Sequence, residues 1–335
     1  MSMPMAAIPD RSADASLLRA ARLLSLRMAR NQELVHCHQH FLSPVIKLGE
    51  EKTYQPWEKA TCPAVVVKAQ DLLFRSGLSF KPIFNEIEDA GGIRKYLGFD
   101  GHIILSSIMR DQTILGFTPE SYAKMIHVLK PDYYLTPDGE TYSGEEHLSK
   151  YEINRILEDT DYLLRECPES KPIGLVKGCN VAQIGEHAEA LLGRGLYFFA
   201  FHAGDYICRG DETSIMQATM FAKHIREKVP WLLVYGVGAG RNLVRFRFAD
   251  GFVTQSHYIN ALNGKKLVNG RWLRLSRAVT HDDVQDNLAA LEDVLISLDT
   301  QTGLKPWLAE EIVPCLATTR KQVNEVGGLV LPGAD

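Results

Sequence analysis

The chain contains no apolar run of the roughly 18 residues that a membrane-spanning helix needs, and none of its six cysteines stands in a Cys-x-x-Cys pair. The first absence excludes a helical membrane anchor. The second excludes a disulfide framework and the usual paired-cysteine metal or redox motifs, so a reducing cytosol is the expected compartment. A strong positive charge is also missing. The formal net charge is −4, which rules out the global field of a non-specific nucleic-acid binder but leaves a local basic groove open. Neither an internal repeat nor a low-complexity tract is present. What the chain has is length and apolar content: 335 residues, 45% hydrophobic, enough for one large α/β domain with a buried core.

The N-terminal stretch SADASLLRAARLLSLRMARNQ carries Leu, Ala and Arg at helical spacing, with Ser12 or Asp14 placed to cap it. Asp10 and Asp14 argue against an organelle transit peptide, so a helical extension is expected. Next, LVHCHQH sets His36, His38 and His40 at period two, on one face of a strand.

Short apolar runs alternate with helical patterns from there on. The runs expected as strands are SPVIKL (43–48), AVVVKA (64–69), HIILSSI (102–108), YYLTPD (133–138), IGLVKG (173–178), LYFFAFHAG (196–204), WLLVYGVG (231–238) and DGFVTQ (250–255). Amphipathic segments at 119–129, 149–167, 180–195 and 214–229 read as helices between them. Continuous apolar strands alternating with helices mean a parallel sheet covered on both faces. Their number fits an α/β fold closed as a (β/α)8 barrel, with a doubly wound open sheet as the alternative. Lys68, Ser106, Asp138, Lys177, His202 and Gly238 fall at strand C-terminal ends, the face on which barrels build their sites. After the Asn263-Gly264 turn the alternation stops, and 279–299 and 305–326 read as a helical tail. The expected organisation is an extension over 1–42, a barrel over 43–275 and a tail over 276–335.

The order of motifs resembles the tRNA-guanine transglycosylase superfamily, (β/α)8 enzymes that exchange guanine for a 7-deazaguanine base in nucleic acid. The likeness covers roughly residues 43–264. SPVIKLGEEK resembles the family's TPVFMPVGTQ, AVVVKAQDLLFRSG its IVLGNTYHLLLRPG, and YYLTPDGETYSG its VMAFDECTPYP. GLVKGC resembles GIVQGG, LLVYGVGAGRNLV resembles YLMGVGTPEDLV, and GGIRKYLGFDGHIILSS follows the run before DSGGFQ. DGFVTQSHYINALNG aligns without a gap to DMFDCVLPTRNARNG.

The resemblance implies an aspartate nucleophile at the ribose C1′ and a second aspartate that handles the base's proton. Here the nucleophile position is Val253 and the second falls on Ser106, while Asp250 matches a neighbouring aspartate three residues earlier. The base-recognising aspartate is kept as Asp138. The family's glutamine in VQGG is Lys177, followed by Gly178, and its later paired glycines become His202 and Ala203. The Asn-Thr-Tyr-His stretch becomes Lys68, Ala69, Gln70 and Asp71, and the family's C-terminal zinc motif is absent.

Four functional readings follow. In the first, glycosyl transfer persists: a bulge in strand eight brings Asp250 to the nucleophile's place, with Ser106, Asp100 or Asp111 as acid/base. The partners would then be a guanine or 7-deazaguanine base, within tRNA or DNA, with no cofactor or metal. In the second, Asp138, Lys177 and His202 converge on a small molecule, a lysine acting as base or nucleophile. Gly238, Gly240 and Arg241 are the phosphate-binding candidates there. In the third, the His36, His38 and His40 run, with Lys177 mid-chain and the later His202 and His257, holds a hydrolytic metal ion, as the amidohydrolase layout suggests. In the fourth, the chain is a non-catalytic subunit of a homodimer or of a heterodimer with a paralogue, because both catalytic aspartates are lost together.

Overall fold

The computed structural model describes residues 40–299 apart from 50–54, 59, 61, 142–143, 239 and 279. The helices expected over the N-terminal extension and over 305–326 lie outside the described residues, as do His36 and His38.

Eight parallel strands close into a barrel in sequence order. They are β1 (Phe41–Ile46), β2 (Ala64–Lys68), β3 (His102–Ser106), β4 (Tyr133–Leu135), β5 (Lys171–Leu175), β6 (Phe198–His202), β7 (Leu232–Tyr235) and β8 (Gly251–Thr254), with β8 pairing back to β1. The open-sheet alternative is thereby excluded. The first strand starts at Phe41, two residues ahead of the expected barrel boundary at 43, because Phe41 and Leu42 pair with Gly251 and Phe252.

Period-two alternation sorts each strand's side chains between two cores. Val45, Val66, Ile104, Leu135, Leu175 and Val253 belong to the group that fills the barrel. At the N-terminal end Phe41, Trp231, Phe198 and Tyr133 form a chain of ring contacts 5.3–5.5 Å between centroids, which floors the barrel with aromatic surface. The alternate residues pack outward against helices α1 (Pro119–Leu129), α2 (Glu146–Glu166), α3 (Val181–Gly193) and α4 (Glu212–Lys228). Local chemistry sets where these helices begin. Thr118 accepts the Ser121 N–H ahead of Pro119, Asn180 accepts that of Gln183, and Asp211 accepts that of Ser214.

Two clasps brace the N-terminal rim. Asp132, just before β4, accepts the Ile103 N–H of β3 at 2.8 Å and pairs with Arg94 at 2.6 Å. Asp250, just before β8, accepts the Leu232 N–H of β7 at 2.8 Å and pairs with Arg226 at 3.3 Å. The same device therefore closes β3 to β4 and β7 to β8.

After β8, α5 (Ser256–Leu262) leads into a hairpin that the loss of alternation did not announce. Its strands β9 (Lys265–Val268) and β10 (Arg271–Arg274) are joined by Asn269-Gly270, both at positive φ (49° and 74°), the signature of a type I′ turn. The Asn263-Gly264 turn instead ends α5. Leu267 and Trp272 face inward to the core, and the hairpin leans on α6 (His281–Asp299). There Asn287 accepts the Leu267 N–H at 2.7 Å, Lys266 reaches Asp286 at 2.7 Å, and Arg277 grips Asp283 through two 2.7 Å bonds. These bonds, with the Thr280 N–H, hold the Asp283 carboxyl well below the usual range. Among the described residues no helix is long and apolar enough to cross a membrane.

Candidate functional site at the barrel mouth

The strand C-termini open on one mouth, and its side over β4–β6 is built round an ion pair. Asp138, three residues beyond β4, and Lys177, two beyond β5, meet with Lys177 Nζ 2.8 Å from Asp138 Oδ1. That oxygen also accepts the Gly139 N–H at 2.9 Å, while Oδ2 has, among the described residues, the Met109 N–H at 3.4 Å and keeps acceptor capacity. The two side chains are 7% and 17% exposed, so the pair is nearly desolvated. Burial by itself lowers an amine's proton affinity. At Lys177 the charge and hydrogen bond of Asp138, with Asp205 and Tyr206 nearby, outweigh burial and raise it. Asp138 thus favours the ammonium form of Lys177, the state of a donor rather than of a base.

The turn that presents Lys177 is fixed from behind. Its N–H and its carbonyl lie 3.0 and 3.1 Å from His187 Nδ1 of α3, and the ring tautomer decides which of the two is engaged. Burial pushes His187 down to about 4. His202, at the end of β6, has Nδ1 3.5 Å from Asp205 Oδ2, and this contact holds the Asp205 carboxyl below its ordinary value. Gly204 is required there, since a Cβ on it would lie 2.7 Å from His202 Nε2. Glu140 is pushed up by burial and then by Asp111, Glu152 and Glu145, with Lys177 acting in the opposite sense.

The opposite side of the mouth is cationic. Lys68 ends β2 and donates from Nζ to Gln255 Oε1, beyond β8, at 2.6 Å. Burial lowers its proton affinity; Asp71 opposes this, and Arg110 and Lys47 add to it. Lys68 is in register with Ser106 of β3, which is 1% exposed. Tyr235 of β7 lies beside Ser106, 4% exposed, with its hydroxyl making no hydrogen bond of good geometry. Val253 is in register with both Tyr235 and Ser43 and is packed in the barrel interior.

A cleft of about 610 Å³ runs outward between the segments after β3 and β4 and the first turns of α2, with Phe117, Thr118, Glu140, Glu145, Tyr151 and Arg155 among its walls. A cavity of about 20 Å³, room for one water, shares Phe117, Thr118 and Arg155 with it and reaches Asp138. The cleft falls in the size range of small-ligand sites.

Other expected site residues lie apart from this mouth. Asp250 sits at the start of β8, at the opposite rim, within its clasp to Leu232 and Arg226. No bulge is needed or found there: β8 pairs in continuous register with β1 over Gly251–Thr254. Asp100 precedes β3 at that same rim, and its carbonyl accepts from Arg94 at 2.9 Å. Neither carboxylate reaches the strand ends, because each belongs to the turn that enters its strand rather than to the one that leaves it. Asp111 opens the helical turn Asp111–Ile114 on the mouth side and raises Glu140 by its charge.

The candidate glycines are packing residues in this structure. A Cβ on Gly178 would meet Ile184 at 2.8 Å, and one on Gly238 would meet Ser256 at 2.2 Å. The Gly238 carbonyl is taken by the Ser256 hydroxyl at 2.8 Å. Gly240 starts a helix of six residues, Gly240–Arg245, on which Arg241 is exposed. His40 has Nε2 2.7 Å from the Arg247 carbonyl and stacks on Phe252, while His257 is fully buried against α6 and pushed down to about 3. Among the described residues no three His, Cys, Asp or Glu side chains gather as a metal site would need.

Sequence reasoning missed Gln255, Tyr235, Asp205 and His187. Gln255 and Asp205 had a signal, a polar residue directly after an apolar strand. Tyr235 reads as one more apolar strand residue, and His187 as a helix residue. The chain matches no protein-family model, and no curated protein is similar to it.

Proposed function

We propose that this barrel is a transglycosylase-like scaffold that holds a guanine or 7-deazaguanine group at its mouth without forming a glycosyl–enzyme bond itself. The Asp138–Lys177 pair carries this reading. A guanine edge offers N–H donors beside a carbonyl acceptor, and the pair offers a carboxylate oxygen with spare acceptor capacity beside an ammonium donor. The cleft leading toward Asp138 gives a route for the base, and a water-sized cavity at its inner end touches Asp138.

The second half of the proposal rests on strand eight. Val253 stands where the resemblance puts the nucleophile, and Asp250 is at the far rim. Binding without bond formation suits a subunit that orients tRNA or DNA for a catalytic partner, and a heterodimer with a paralogue is the assembly it implies.

Calorimetric titration of the full chain with guanine and 7-deazaguanine tests the reading. Binding is expected to weaken about tenfold or more in Asp138→Asn, which loses one charge-assisted acceptor, whereas Lys177→Gln retains it. Equal affinity of wild type and Asp138→Asn, or no binding by folded wild-type protein, would remove the base from this site.

A further inference from the structure

We propose that Lys68 is an amine nucleophile that captures an aldehyde or ketone carrying an anionic group, forming an imine in the mouth of the barrel. This goes beyond the base-binding reading and stands on the other side of the mouth, over β1–β3 and β8.

Four features of the geometry support it. Lys68 ends β2 at the mouth, and among the described residues its Nζ bonds an uncharged acceptor, Gln255 Oε1, at 2.6 Å. Lys177, by contrast, is neutralised by a carboxylate at 2.8 Å. The charged groups that act on Lys68 are Asp71 from the turn after β2, Lys47 after β1 and Arg110 after β3. Burial, aided by Arg110 and Lys47 against Asp71, favours the neutral amine, and the two cations also attract a phosphate or carboxylate on an incoming molecule.

Hydroxyls complete the arrangement. Ser106 is the register partner of Lys68 on the adjacent strand, which puts their backbones about 5 Å apart. Tyr235 beside it has a buried hydroxyl that faces Ser106 and, among the described residues, makes no hydrogen bond of good geometry. A buried hydroxyl left without a partner is uncommon in a native protein and points to a group that is to be bound. A carbonyl oxygen is such a group.

The step balances as follows. The lone pair of neutral Lys68 Nζ attacks the carbonyl carbon, the C–N bond forms, and the carbonyl π electrons move to oxygen, polarised by the Tyr235 hydroxyl. Proton transfer from nitrogen to oxygen gives the carbinolamine. Loss of the C–O bond with a further proton releases water and leaves the C=N bond. Asp71 is the group placed to relay that proton: burial raises its carboxyl, Lys68 and Lys81 act against the rise, and its Oδ2 makes no hydrogen bond. No oxidant or reductant is consumed.

Reductive trapping tests the proposal on the full-length protein. Pyridoxal 5′-phosphate serves as the anionic aldehyde and pyridoxal as its uncharged counterpart; each is followed by borohydride and peptide mass spectrometry. Lys68 is expected to be labelled at least about tenfold faster than the average of the other lysines, near one label per chain, and faster by the phosphate compound than by pyridoxal. Tyr235→Phe is expected to slow labelling while leaving the melting temperature within a few degrees. Lys68→Met, confirmed folded by circular dichroism, should lose the label. Labelling spread over exposed lysines in proportion to their accessibility, or Lys68 left unmodified in folded protein, overturns the proposal. So does a Tyr235→Phe rate equal to wild type. Guanine binding by the same samples is read separately, so failure here leaves the Asp138 site standing, and the reverse also holds.

Discussion

Acidification from pH 7 to pH 5 is expected to cost this protein about 2–4 kcal/mol of unfolding free energy. Two buried histidines are the reason. His187 is pushed down to about 4 and His257 to about 3, burial being the main cause in each. In the unfolded chain both bind protons near 6.5. Between that value and about 4, the unfolded state therefore holds up to two protons that the folded state refuses. Stability is full above 6.5 and falls as the pH drops toward the folded values, by up to about 2.7 kcal/mol per pH unit.

The carboxyls of Asp71, Glu140 and Asp159 are raised in the folded state and work against this slope in the same window. The expected loss is therefore set below the two-histidine maximum. Urea unfolding at pH 7, 6 and 5 measures it. His187→Asn and His257→Leu should each remove about half of the slope. A flat profile in the wild type would show that the histidines are protonated inside the fold. His187 Nδ1 sits against the backbone of Lys177, so charging this buried ring on acidification is expected to disturb the turn that presents Lys177.

Replacing Asp250 with alanine is expected to cost about 3 kcal/mol of stability and to leave binding at the mouth unchanged. Asp250 is 14% exposed and Arg226 21%, so the substitution strands a largely buried guanidinium together with the Leu232 N–H. Asp132→Ala, which opens the matching clasp on β3 and β4, should cost less, because that pair is more exposed and Arg94 keeps its bonds to the Phe99, Asp100 and Gly101 carbonyls. Denaturant unfolding gives the stability, and titration with guanine gives the binding. An Asp250→Ala protein as stable as wild type but unable to bind or exchange guanine would restore Asp250 as a reactive group.

The architecture was legible because every barrel strand announced itself by a continuous apolar run, which is what burial on both faces of a parallel barrel demands. Helix 119–129 was legible to the residue, since Thr118 and Pro119 fix its start and a left-handed Lys130 its end. The hairpin after α5 was not. Its strands mix Lys and Arg with Val, Leu and Trp because one face is solvated, and Asn269-Gly270 was the signal available.

The site was legible in part. Asp138, Lys177 and His202 were placed at strand ends by position alone, and the structure brings Asp138 and Lys177 into contact. Asp250 misled because a strand's first and last residues look alike in sequence, although they stand at opposite ends of the barrel. The states of Lys68 and Lys177 were not legible at all. They depend on whether the nearest acceptor is a carboxylate or an amide, and Gln255 lies 187 positions from Lys68.

A crystal structure of the full chain with a 7-deazaguanine nucleoside tests the central claim most directly. The account predicts the base edge on Asp138 and Lys177, the ribose C1′ bonded only to the base, and Val253 still packed in the barrel. A base bound elsewhere, or electron density joining C1′ to a carboxylate of this chain, would contradict it.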